Sequence, residues 1–440
     1  MAESVRAHTT TAEPTVGIPS TTSDLTSDPR GLRRTLAAFV YRDFRVLWFG
    51  ACSSSIGTWM QSLAENWLVL SLTGSPRYLG LDAFLQQLPI MLFTLIGGVL
   101  ADRLDRRRTL LASQYVQTST AVALAFLVYF GYVRIWHILM LSFITGCAQA
   151  FGGPAYQSLI PSLVEKRDLT NAIALNSIQF NVARVLGPLL AGATLAAFAN
   201  WGFSDPQAMS ACFSLNALSF FVVIYALLSL RITHIPPATR QPLLDDMRVG
   251  LRYVKHEQTI RLLIVLAFAT TFLGMPLMTL LPVFAKNIFH SGVGEYSRLM
   301  AFSGAGAIAG SLIVAWLGRF KRMGAVTLVV QITFGLLIAV FAVSRVLWIS
   351  YALLFFTNVA LMVVFSAVTS LVQLIAPNEM RGRVMSIYML AFRGGMPLGS
   401  LTSGYLAGTF GAPAVLVVNG GLLMLVAAYF LVRSRGVRGL

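Results

Sequence analysis

Three ionisable side chains, Glu65, Arg184 and Arg393, fall inside stretches that are otherwise apolar for twenty residues or more. A charge in such a stretch costs at least ~2.5–3.5 kcal/mol on membrane-insertion scales, so each needs a polar cavity, a partner or a proton. Glu65 ends a polar stripe of Ser54, Thr58 and Gln61, spaced i, i+4, i+7, i+11. That spacing is one face of a helix, expected to line a central cavity. A carboxyl withdrawn from water there can take up and return a proton, the chemistry that coupled transport needs. The plainer reading is interfacial water, because Glu65 lies about 10 Å from the middle of its run at ~1.5 Å per residue. Asp82, four residues into the next run, is a weaker candidate for the same role. Arg184 shares a helical face with Ser177 and Asn181, and Arg393 shares one with Ser386. Both arginines suit an anionic or hydrogen-bonding solute. A structural contact that locks two helices together is the alternative.

Other chemistries lack their residues. No nucleophile–base set occurs, and Cys52, Cys147 and Cys212 lie in apolar runs without ligand spacing. The five histidines fall in tails or near segment ends, and no Gly-x-x-x-x-Gly-Lys-Ser/Thr phosphate loop is present. Enzymatic activity, ATP hydrolysis, a metal site and a cofactor are therefore not expected. Hydrophobic residues make up 56% of the 440, charged residues 11%, and mean hydropathy is +0.72. Soluble domains carry about 25% charged residues, so the composition is that of an integral membrane protein. The net charge of +16 is spread over alternate loops and forms no continuous basic face, which excludes nucleic acid as the partner.

The elements that must position these residues are apolar runs of about 20 residues, the length a helix needs to cross ~30 Å of hydrocarbon. Twelve are expected, at about 45–71, 79–101, 109–131, 136–158, 171–199, 208–230, 260–285, 297–318, 324–343, 347–373, 382–409 and 412–432. Residues 1–43 read as a disordered tail without a signal-peptide pattern, 44–230 and 260–432 as two six-helix bundles, and 433–440 as a second tail. Between the bundles, 231–259 reads as a linker whose amphipathic helix places Leu244, Met247, Leu251 and Val254 on one side. Of the 33 Lys and Arg, two are Arg184 and Arg393, and five (Arg77, Arg134, Lys286, Arg298, Arg345) fall in odd-to-even loops. The remaining 26 lie in the tails and even-to-odd loops, which predicts cytoplasmic termini.

The halves read as repeats. Arg184 and Pro188 in span 5 match Arg393 and Pro397 in span 11 at an offset of 209; Gly97 and Arg106 match Gly310 and Arg319 at 213. The loop after span 2, Gly98-x-x-x-Asp102-Arg103-x-x-Arg106-Arg107, resembles the loop between helices 2 and 3 of major facilitator superfamily transporters. Asp105 stands where that family most often has Gly. The resemblance implies an all-α polytopic membrane protein, with twelve transmembrane helices in two pseudo-symmetric six-helix bundles working by alternating access. It also implies that Gly98, Asp102, Arg103, Arg106 and Arg107 form a gating motif; attraction of a basic loop to anionic lipid is the plainer alternative. Gly187, Pro188 and Gly192 are similar to part of the Gly-Pro motif of drug:proton antiporters in this superfamily, with Ala191 replacing one usual glycine. Helix packing is the plainer explanation, and Pro188 and Pro397 suit paired bends.

Phe44-Arg45-x-Leu47-Trp48, Leu72-Thr73-Gly74-Ser75-Pro76 and Ala183-Arg184-x-x-Gly187-Pro188 resemble the bacterial efflux branch that includes the enterobactin exporter. That resemblance implies proton-coupled export of a hydrophobic, amphiphilic or siderophore-like small molecule by a multi-pass protein of the cell inner membrane; from position and chemistry, Glu65, Gln61, Arg184, Arg393 and Asn181 are the candidate coupling or substrate residues. Trp59, Trp67, Tyr156, Phe180, Tyr388 and Phe392 would flank the cavity. The expected partners are the solute, protons and the lipid bilayer, with a monomeric protein. Import of a polar nutrient is the alternative, with Asn176, Gln179 and Asn181 in its favour; a non-transporting sensor or assembly partner ranks last.

Overall fold

The computed structural model describes residues 36–103, 105–230, 243–318 and 322–433; the side chains of 94–103 and 243–247 lie outside that description. Among the described residues the protein is helical throughout. The first half comprises α1 (Arg42–Thr73), α2 (Pro76–Arg103), α3 (Arg106–Tyr129), α4 (Ile135–Leu159), α5 (Leu169–Asn200) and α6 (Asp205–Ser229). The linker helix is α7 (Leu243–His256). In the second half α8 (Gln258–Gly274) and α9 (Pro276–Val283) share one span, followed by α10 (Val293–Leu317), α11 (Met323–Val343), α12 (Leu347–Ile375), α13 (Arg381–Phe410) and α14 (Ala412–Arg433). Nine spans among the described residues are long and apolar enough to cross a bilayer by those measures alone. With α1, α2 and α13 the spans number the expected twelve.

Local chemistry sets the ends. Gly74 closes α1 in the left-handed conformation (φ 63°) with its N–H on the Leu70 carbonyl, and Pro76 opens α2 at once. Asp105 needs no glycine-like geometry: at φ −61° it caps α3, its carboxylate accepting from the Arg107 and Arg108 backbone N–H groups. Ser204 and Gln207 form a capping box at the start of α6.

Span 7 runs through two prolines: its helix is interrupted at Met275, because Pro276 supplies no N–H, and a π-turn, Phe284–Ile288, extends it past Pro282. One expectation, at the N-terminal boundary, needs correction. Leu36 to Asp43 are folded rather than tail-like: Ala38 is buried with its N–H on Asn171 Oδ1, and the Tyr41 hydroxyl donates to Asp168 at 2.7 Å. That bond holds the Tyr41 phenol above its ordinary pKa. On α7 the packed edge runs through Gly250, against Arg383 and Ile387 of α13, and Val254, whereas Leu251 is 61% exposed. A Cβ at 250 would already touch α13, so the helix docks on its glycine. Leu244 and Met247 lie outside the described side chains.

The halves meet along α2–α13 and α5–α10. Without water to expel, helices in lipid associate through close packing, and small residues permit it. A Cβ on Gly404 would lie 2.7 Å from Gly80 Cα, and one on Gly192 would lie 2.5 Å from Ser297 Oγ. Ser297 Oγ donates to the Pro188 carbonyl at 2.7 Å. Farther from the linker, Trp67 stacks on Tyr296 with centroids 6.1 Å apart, Asn66 Nδ2 donates to the Tyr296 hydroxyl, and Lys286 Nζ lies 6.0 Å from the Trp67 ring centre. The deepest contacts pair Gly304 with the Arg184 carbonyl and Gly394 with Met91, near mid-height. Among the described residues, these contacts between the halves lie between that level and the end remote from the linker, which is the closed end.

Gly404→Val would press two methyl groups against the α2 backbone at Gly80, where nothing can swing aside. Spin labels at Tyr132→Cys and Val346→Cys, in exposed loops at the closed end of a background with the native cysteines changed to serine, should move apart. Gly421→Val, with no neighbour within 4 Å of its Cβ, should leave that distance as it is. An unchanged distance in Gly404→Val would remove this contact from the closure.

Candidate functional site

Glu65 does not face a cavity or interfacial water. It is 5% exposed and turned into the interior of the first half, and Asp82 on α2 is 4% exposed beside it. Ser142 on α4 lies between them, its Oγ 2.6 Å from Glu65 Oε1 and 2.7 Å from Asp82 Oδ1. A hydroxyl has one proton to give. It serves one carboxylate; the other contact is a hydrogen bond only when that carboxyl carries a proton and donates to Ser142 Oγ. Two bare negative charges this close would repel strongly away from water, and no Lys or Arg pairs with either among the described residues. The arrangement therefore has a place for one proton shared by two carboxyls and a hydroxyl.

The network extends along α1 and α6. Gln61 Nε2 donates to Glu65 Oε2 at 3.2 Å, Asn216 Nδ2 donates to Gln61 Oε1 at 2.6 Å, and Ser219 Oγ lies within bonding distance of Asn216 Oδ1. Two glycines make room. A Cβ at Gly57 would strike Asn216 Oδ1 and Ser219 Oγ at 2.5 Å. One turn beyond Ser142, a Cβ at Gly146 would lie 2.1 Å from the Gln86 carbonyl, so α4 approaches α2 closely enough for Ser142 to reach both acids. The stripe Ser54–Glu65 is real, but it faces the packed interior of its own bundle. Sequence reading underweighted Asp82 and missed Ser142 and Asn216; the polar positions Ser142, Thr145 and Gln149 on one side of α4 were the available signal.

A second cluster spans the halves. Arg184 is half-buried, Nη2 donating to Asn358 Oδ1 of α12 at 3.1 Å with the guanidinium 5.7 Å from the Trp59 ring centre. Phe180 meets Trp59 edge-on at 6.1 Å. Asn181 does not join this cluster; its Nδ2 returns to the Ser177 carbonyl, as a solvated helical amide does. Arg393 on α13 is exposed, next to Phe392, which packs on Phe365 and Tyr388. Gly187 lets α5 sit against Trp59 of α1, Gly192 touches the other half, and Pro188 and Pro397 are both buried. Because Pro188 has no N–H, the Arg184 carbonyl is freed from its helix, and it faces Gly304.

Of the loop motif, Gly98, Asp102 and Arg103 lie outside the described side chains. Arg106 donates to the Ser158 carbonyl at 3.1 Å, and Arg107 donates to the Leu227 and Leu228 carbonyls at 2.7 and 2.8 Å. These cations sit on the negative ends of α4 and α6, within one half.

A family model described as a transmembrane secretion effector matches residues 33–437. The staphyloferrin A transporter of Staphylococcus aureus is 25% identical over 83% of this chain and 89% of its own length. The enterobactin exporter of Citrobacter koseri is 25% identical over 89% of each chain. In fold, the chain is similar to a bacterial homologue of the human lysosomal transporter Spinster, solved inward-facing and unoccupied, with a TM-score of 0.71, 15% identity and coverage of 92% of this chain and 98% of that one.

Ser142→Ala removes the hydroxyl that lies between the acids. Each buried acceptor left without a donor costs about 1–3 kcal/mol, so thermal unfolding in detergent should occur at a lower temperature. Adding Glu65→Gln should recover part of the loss, because the amide can donate where the hydroxyl did. An unfolding temperature equal to that of the unmodified protein would rule out the bridge.

Proposed function

This chain belongs to the transmembrane secretion effector family of major facilitator transporters, and from that membership we propose that it is a proton-coupled exporter of hydrophobic, amphiphilic or siderophore-like small molecules, acting by alternating access in the cytoplasmic membrane. The observation that carries the proton coupling is Ser142 between Glu65 and Asp82. A pair that holds one proton when closed off, and none or two when solvated, is a store that can be filled from one side and emptied to the other.

The link from proton to motion lies along α1. Glu65 belongs to the network inside the first half, while the next two residues, Asn66 and Trp67, grip Tyr296 of the second. A change of charge at Glu65 pulls on the turn that holds the closed end. With the arginine-rich linker end in the cytoplasm, the open end takes up cargo there while the proton leaves. Closure at that end and opening at the other releases cargo outside and admits the next proton. Arg106 and Arg107 brace α4 and α6 so that the first half moves as one body.

The test uses inside-out membrane vesicles acidified by respiration and loaded with a pH-sensitive dye. Adding amphiphiles or siderophores to the unmodified transporter should release protons. Glu65→Gln and Asp82→Asn should each reduce that release to background, because one proton is shared by the pair. Release that persists in both variants would move coupling elsewhere. Solute uptake independent of the gradient would replace export with facilitated import.

A further inference from the structure

Among the described residues, Glu65 and Asp82 are the buried carboxyls within the apolar spans, and both are committed to Ser142. Glu295, at the start of α10, is taken by Tyr351 and Arg298. Arg184 and Arg393, at mid-span, therefore have no carboxylate among the described residues. An unbalanced cation at that depth is costly and marks a ligand path.

Arg184 is built for more than a latch. Asn358 is fully buried, and its Nδ2 is held by the Leu354 carbonyl, which fixes Oδ1 toward Arg184. One neutral oxygen is a weak return for a guanidinium with five N–H donors. The Trp59 ring on one side and Phe180 beside it offer an apolar, stacking wall to whatever sits against the cation. We infer that Arg184, Trp59, Phe180 and Asn358 form the head-group subsite of the cargo pathway, and that it takes an amphiphilic anion: a carboxylate or sulfonate on an aromatic or apolar body. The anion replaces Asn358 as the main acceptor, and its body lies against the two aromatic rings. Because Arg184 and Asn358 belong to opposite halves, cargo at this point loosens one tie between them. This rests on the reading of the chain as an exporter.

Equilibrium binding to the full-length protein in zwitterionic-lipid nanodiscs, without a proton gradient, tests it. The probes are pyrenebutyrate, pyrenebutanol and a pyrenebutyl trimethylammonium salt. The unmodified protein should bind the anion at least about tenfold more tightly than the other two, the scale of one charged hydrogen bond. Arg184→Gln should remove that preference and leave pyrenebutanol binding in place, with Arg184→Lys intermediate. Asn358→Asp is the sharper variant, since it gives Arg184 a built-in carboxylate at the same position. It should abolish anion binding with the protein intact, a result that a merely structural arginine would not produce. Equal affinity for the three probes, or anion binding that survives Asn358→Asp, would overturn the subsite. So would loss of probe binding when phosphatidylglycerol is added to the nanodiscs, which would assign the position to a lipid head group. Proton-driven export without anion preference would sink this inference alone. Arg184-dependent anion binding without proton release in the vesicles would sink the export reading and leave the subsite standing.

Discussion

Two carboxyl groups sit out of reach of water with one hydroxyl between them and no ion-pairing cation among the described residues, and the first half is built around that constraint. Charge at such a place is tolerated only when protons and donors are supplied locally. Four helices supply them: Glu65 and Gln61 from α1, Asp82 from α2, Ser142 from α4 and Asn216 from α6. Gly146 and Gly57 are small because any Cβ would push α4 off α2, or α6 off α1, and open the network. Packing and polar chemistry are here one requirement. The helices approach closely because the hydrogen bonds must close, and the bonds can close because the residues between them have no side chain.

Closure between the halves obeys a different rule. It relies on Gly80 with Gly404, Gly192 with Ser297, and one aromatic pair, Trp67 with Tyr296. The glycine contacts separate without exposing a side chain, whereas parting Trp67 from Tyr296 exposes apolar surface, so the aromatic pair favours the closed state. Arg184 with Asn358 is the one charged group in the contacts described at mid-height. The end caps follow the same division. Arg106 and Arg107 hold helix termini inside one half and cross no boundary.

Much of this was legible in the chain. Twelve spans, the repeat marked by Arg184–Pro188 and Arg393–Pro397, and the membership all follow from hydropathy and motif. The direction in which Glu65 points did not follow. A polar helical stripe signals burial against other polar groups as well as a water-filled path, and amphipathicity cannot separate the two. Asp82 read as near-surface because distance along its run was the only depth gauge; the α4 approach that seals it depends on Gly146, far away in sequence. Periodicity placed Leu251 on the apolar side of α7, while the edge that docks on α13 runs through a glycine, which an apolar count ignores.

The repeat also has an unequal inheritance. At the offset that pairs Arg184 with Arg393, Gln61 corresponds to Thr270 and Glu65 to Gly274. A Cβ at Gly274 would lie 2.6 Å from the Phe334 ring, so the second half fills with a benzene ring the position where the first keeps an acid. The two halves thus differ where their folds correspond: the buried carboxyl pair belongs to the first, and the second has an aromatic ring there. On the proposed coupling through Glu65 and Asp82, a step powered by a proton begins in one half and is transmitted to the other, so a symmetric fold runs on an asymmetric stroke.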